Sequence, residues 1–100
     1  MAVPYTLGIW NVQPGRADDF VAAWVEFAEW TAEHVEGAGR GTLLRDTSDD
    51  HRFISIGPWE STAAIENWRA QPGWGERVTK IREMLVGFEP ATLELVTERG

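Results

Sequence analysis

From residue 3 to residue 13 the chain alternates between two sets of side chains, and both sets are apolar. Val3, Tyr5, Leu7 and Ile9 fall on one face of such a segment, and Trp10 and Val12, with Thr6 and Gly8, on the other. A period of two is that of a β-strand, and apolar residues on both faces mark a strand covered on both sides. Whatever follows must therefore supply two covers for one sheet. Pro14-Gly15 ends the strand.

The period then changes. At about 100° per residue, Phe20, Trp24, Phe27, Thr31 and Val35 form one stripe, which predicts a helix from about Arg16 to Glu36. Glu26, Glu29, Glu33 and Glu36 lie opposite, in water, and Asp18 and Asp19 sit in the first turn, where the helix dipole favours acid. Trp30 and His34 share one flank, a turn apart. Gly37, Gly39 and Gly41 break the helix and lead into a second strand at residues 41–47. The run from Asp46 to Asp50 is turn chemistry, so a third strand at 52–58 completes a hairpin.

Ser61 is a natural N-cap for a second helix through Ala70, with Ile65 and Trp68 inward. Pro72-Gly73 interrupts it. A further helix is expected at 74–86 on the stripe Trp74, Val78, Ile81 and Leu85, and a last strand at 90–98, where Leu93 and Leu95 alternate with Thr92, Glu94 and Val96. The order is βαββαβ, the ferredoxin-like α+β pattern with an antiparallel four-stranded sheet, in one domain spanning residues 1–100. Helices cover one face of such a sheet. The other apolar face calls for a second copy of the chain, hence a homodimer.

Charge and composition narrow the partners. The formal net charge is −7, and the nine basic residues are scattered along the chain. A nucleic-acid binder gathers such residues into a stripe, so neither nucleic acid nor an anionic membrane surface is an expected partner. Without cysteine there is no disulfide, thiolate metal site or cysteine nucleophile. With no signal peptide or membrane helix predicted, the expected location is the cytoplasm. Six tryptophans are many for 100 residues. They predict an aromatic-lined pocket or a dimer interface as well as a core.

Catalytic equipment is sparse. No phosphate-cradling glycine loop or metal-ligand spacing occurs, and most carboxylates fall on helix faces in water or in turns. His34, beside the core and next to Trp30, is the candidate base; alternatively it is a cation placed at a helix C-terminus by the dipole. Trp68 and Trp74 frame the segment from Asn67 to Trp74, where the broken helix opens room against the sheet. They are either walls for a planar apolar guest or anchors of that helix in the core. Trp30, Asn67 and Arg45 are further candidates for binding.

The segments Val12-Gln13-Pro14-Gly15-Arg16-Ala17-Asp18-Asp19-Phe20 and Gly41-Thr42-Leu43-Leu44-Arg45-Asp46, and above all the run from Trp59 to Arg69 followed by Pro72-Gly73-Trp74, resemble the antibiotic biosynthesis monooxygenase family. The resemblance spans nearly the whole chain. It implies a dimeric α+β barrel with a cavity between helices and sheet in each subunit. Oxygenase members oxidise polycyclic aromatic phenols with O₂ and neither metal nor flavin, so no cofactor is expected. Trp68 falls on the family's pocket tryptophan. Trp74 stands where oxygenase members carry a tyrosine, and Ala64 where some carry an asparagine. Gly8 and Val78 occupy the positions of the asparagine and the haem-ligating histidine of a haem-degrading sister group, so the likeness does not extend to that activity. The resemblance implies a cofactor-independent monooxygenase acting on a planar aromatic or polyketide-type compound. The alternative is a barrel that binds a hydrophobic ligand without turnover.

Overall fold

The computed structural model describes residues 2–100. Its elements run β1 (Pro4–Val12), α1 (Ala17–His34), β2 (Thr42–Asp46), β3 (Asp49–Pro58), α2 (Thr62–Arg69), α3 (Trp74–Arg82) and β4 (Leu85–Glu94). The strands form one antiparallel sheet in the order β2-β3-β1-β4, the ferredoxin-like arrangement that the βαββαβ order predicts.

The two faces of β1 separate as the alternation requires. Trp10 and Val12 are buried in the main hydrophobic cluster with Phe53 of β3, Phe20, Phe27 and Trp30 of α1, and Ile81 of α3. Tyr5, Leu7 and Ile9 point the other way. Register aligns Ile9 with Ile54, Leu7 with Ile56 and Tyr5 with Leu93 on that outer face, and Leu44 stands beside Ile54. None of these side chains joins a hydrophobic cluster of the described residues, and Leu44, Ile56 and Leu93 are exposed.

Ser61 caps α2 as expected, its hydroxyl accepting the Ala64 N–H at 3.1 Å. Gly73 precedes α3 with φ +92°, in the left-handed region that a side chain rarely adopts, so the helical break at Pro72-Gly73 is built into the backbone.

Several boundaries differ from the periodicity reading. α3 stops at Arg82 rather than 86, and β4 begins at Leu85 rather than 90 and ends at Glu94 rather than 98. The cause is pairing: β4 matches β1 from Pro4 to Val12, and that register draws Leu85 to Pro90 into the strand. Phe88 thereby lands opposite Trp10 and stacks on it at 4.4 Å. The leucine alternation placed the strand too late because Leu93 marks the outer face, not the core. The third strand likewise begins at Asp49 rather than 52, because the turn needs only Thr47 and Ser48.

Candidate functional site

A cavity of about 690 Å³ lies between the helices and the inner face of the sheet. Its floor is Thr6, Gly8 and Trp10 of β1, Ser55 and Gly57 of β3, and Phe88 and Thr92 of β4. Trp24, Phe27 and Thr31 of α1 form one wall; Trp68 of α2 and Trp74 and Val78 of α3 form another. The size and the apolar lining with a few polar groups suit a small organic molecule.

The room exists because the helix breaks. Trp68 and Trp74 meet edge to face at 5.8 Å across Pro72-Gly73. Trp68 is the centre of the aromatic wall, stacked on Phe27 at 5.5 Å and tilted against Trp59 at 5.0 Å. Gly8 keeps the floor low: a Cβ there would come within 2.8 Å of Trp10 Nε1 and 3.0 Å of Ser55 Oγ.

Hydroxyls of the cavity lining fix three of these indoles. Trp10 Nε1 donates to Ser55 Oγ, Trp59 Nε1 to Thr6 Oγ1 and Trp68 Nε1 to Thr31 Oγ1, each at 2.9 Å. Thr31 in turn donates to the Phe27 carbonyl oxygen at 2.9 Å. The Trp68 N–H is therefore committed within the protein. Trp74 Nε1 is buried without a partner, as is Arg77 Nε beside it.

Of the six residues singled out from sequence, the structure brings Trp68 and Trp74 together in the cavity lining. Trp30 is buried behind that wall, stacked on Phe27 and beneath the Arg77 guanidinium. His34 lies outside the lining: it is exposed, stacks on Trp30 and bonds through Nδ1 to the Trp30 carbonyl oxygen at 2.9 Å. The helical turn that joins it to Trp30 also carries it past the cavity. Asn67 faces water and accepts from Gln71 at 3.3 Å, and Arg45 lies over Phe53 on the β2 edge, neither of them in the lining.

Sequence reasoning missed Trp24, which it placed in the α1 core stripe, and gave no site role to Trp10 of β1 or to Trp59 just after β3. It also missed three arginines. Arg40, Arg69 and Arg82 line the cavity and are exposed at its mouth, and among the described residues arginine is the only ionisable type in the lining. No Asp, Glu, His, Lys or Tyr joins them. Reading the basic residues as scattered held along the chain but not in space. The acid-rich turn gathers Asp49, Asp50 and His51 far from this site, exposed or half-exposed at the hairpin end.

A four-stranded antiparallel sheet with its helices on one face, enclosing a tryptophan-walled cavity, defines an α+β protein of ferredoxin-like topology. The chain belongs to the antibiotic biosynthesis monooxygenase family, whose model matches residues 7–80. Membership supports a monooxygenase-type role at the level of the family. Similar solved structures include SnoaB, a cofactor-independent oxygenase from Streptomyces nogalater, at 25% identity, covering 100% of this chain and 96% of that one with a TM-score of 0.84. PA3566 from Pseudomonas aeruginosa (16% identity, 97% of each chain, TM-score 0.81) and a conserved protein from Methanosarcina mazei Go1 (14% identity, 93% and 92%, TM-score 0.84) share the fold. No curated protein matches the chain. No helix is long and apolar enough to cross a membrane among the described residues.

Proposed function

We propose that this protein is a cofactor-independent monooxygenase acting on a planar aromatic or polyketide-type molecule, with Trp68 and Trp74 as walls of the substrate site. The observation that carries the reading is an aromatic cavity whose only ionisable lining residues are arginines. The likeness to SnoaB, itself a cofactor-independent oxygenase, supports it.

Such a lining offers no carboxylate, imidazole or thiolate to hold a metal ion or to abstract a proton. The substrate must then bring its own acidity and its own electrons. An electron-rich phenol or enol fits: the arginines lower its pKa by favouring the anion, and the anion reduces O₂. For a methylene carbon oxidised to a ketone, the carbon gives up four electrons and two hydrogens. One oxygen atom ends in the new C=O and the other leaves as water.

The test is O₂ uptake by purified, metal-free protein given anthrone, against the Trp68→Ala variant. Wild type consumes one O₂ per anthrone oxidised, well above the variant; uptake no greater than the variant's refutes the catalytic reading for such substrates. One observation favours a second reading, a barrel that binds without turnover: the Trp68 N–H is committed to Thr31. Quenching of tryptophan fluorescence with no O₂ uptake is the outcome expected from it.

The outer apolar sheet face supports a homodimer closed through that face, with each subunit keeping its own cavity.

A further inference from the structure

We propose that the cavity takes its ligand as a carboxylate, an aromatic acid whose planar body lies against the tryptophans and whose carboxylate is held by Arg69 and the hydroxyls of Thr92 and Thr6. This rests on the reading of the cavity as a site for a planar aromatic molecule and adds the charge and the anchoring residues.

The first support is a segregation of charge. The chain carries sixteen acidic and nine basic residues, yet the cavity takes none of the former and three of the latter, Arg40, Arg69 and Arg82. None of the three forms an ion pair with a carboxylate among the described residues. Elsewhere, Arg16, Arg52 and Lys80 are each paired with an acid. In a protein of net charge −7, a mouth with unpaired guanidinium groups and low-dielectric walls concentrates field on an anion.

The second support is geometric. Thr6 stands opposite Gly57 on one side and Thr92 on the other, so the three make one cross-strand row on the cavity floor. The Arg40 backbone packs against the Gly57 end of that row. At the other end the Arg69 guanidinium lies 3.5 Å from Thr92 Oγ1. That distance is at the long limit of a hydrogen bond, which leaves the guanidinium donors largely unspent.

Proton accounting selects the same spot. Thr6 Oγ1 accepts the Trp59 N–H, and Thr92 Oγ1 faces Arg69, so each hydroxyl keeps its own hydrogen to donate. Thr31, by contrast, both accepts from Trp68 and donates to Phe27, leaving nothing for a ligand. Directly opposed strand residues hold their Cβ atoms about 5 Å apart, a spacing that lets both hydroxyls reach one carboxylate. The Arg69 guanidinium supplies the planar donor fork that matches it. Arg82 stacks over Phe88, four residues along β4 from Thr92 and so about 13 Å away at the rise of a strand. It cannot share that carboxylate and serves the field at the mouth.

The experiment compares anthraquinone-2-carboxylate with anthraquinone-2-carboxamide, which match in plane and size and differ in charge. Tryptophan quenching gives both dissociation constants in the purified protein. The carboxylate is expected to bind at least about tenfold more tightly at low salt. The preference shrinks in about 1 M salt, where the screening length falls to about 3 Å. Arg69→Gln and Thr92→Val, both at exposed positions, each remove most of the preference, weakening the carboxylate more than the carboxamide. Arg99→Gln removes the same charge away from the cavity and leaves the preference intact. Equal affinities in wild type, or a preference that survives Arg69→Gln, overturn the proposal. If the carboxamide binds and is lost in Trp68→Ala while no preference exists, the anion claim alone falls. If neither ligand quenches, the reading of the cavity falls with it.

Discussion

Indole N–H groups are costly to bury, and this chain resolves the cost differently at two neighbouring tryptophans. Trp68 donates to Thr31, whereas Trp74 has a buried N–H with no acceptor. Replacing each by Phe separates the cases. Trp68→Phe loses a satisfied hydrogen bond worth about 1 kcal/mol in addition to packing. Trp74→Phe loses similar packing but relieves an unsatisfied donor that costs about 1–3 kcal/mol, so it is the less destabilising change and can be neutral. Urea midpoints check the ranking: Trp68→Phe is expected to unfold first, and the reverse order contradicts this assignment of hydrogen bonds. The pocket position of Trp68 was legible from the run between Trp59 and Arg69. Its partner was not, because Thr31 is 37 residues away and read as one more member of a core stripe.

The β2–β3 hairpin holds the Asp46 carboxyl below its ordinary value near 3.8. Asp46 accepts the Ser48 backbone N–H at 2.8 Å and the Arg52 guanidinium at 3.0 Å, and these favour the ionised form in that order. A carboxyl with a depressed folded pKa adds stability that is complete above its unfolded pKa and disappears as pH falls through the folded one. Wild type therefore loses this contribution only below about pH 3.8, whereas Asp46→Asn lacks the ionic part at every pH. Urea midpoints at neutral pH and in acid are expected to converge for the two proteins as the solution is acidified. A gap that persists in acid contradicts the role given to ionisation. The turn itself was readable from its Asp and Ser residues. Where the strands began was not, since ladder pairing extends β3 back to Asp49 and β4 back to Leu85 beyond what local periodicity marks.

For the molecule as a whole, the unresolved cost is the outer sheet face. Leu44 of β2, Ile54 and Ile56 of β3, Leu7 and Ile9 of β1 and Leu93 of β4 form apolar rows across four strands, and Leu44, Ile56 and Leu93 are exposed. Exposure of such a face to water is unfavourable by about 25 cal/mol per Å², and a symmetric pairing of two sheets removes it. The protein is expected to sediment as a dimer at micromolar concentration. Ile56→Asp, which puts a charge at the middle of the face, is expected to shift it to monomer with the fold retained by circular dichroism. A wild-type monomer rules out the proposed dimer.

The sequence determined the order of elements and the sidedness of each, because a period of two or of 3.6 states which side chains share a face. It also determined the capping by Ser61 and the break at Pro72-Gly73, both properties of a few adjacent residues. Tertiary structure alone decided which faces oppose one another. Trp24, Phe27 and Thr31 become a cavity wall only because α1 crosses above the Thr6–Trp10 stretch. Arg40, Arg69 and Arg82 become a set only because a loop and two helix ends arrive at one mouth. His34 misses that cavity for the same reason: its helix turn fixed its neighbour, Trp30, but the packing of α1 on the sheet fixed what lay within reach. Local pattern carries direction, and distance between remote segments is set by how they pack.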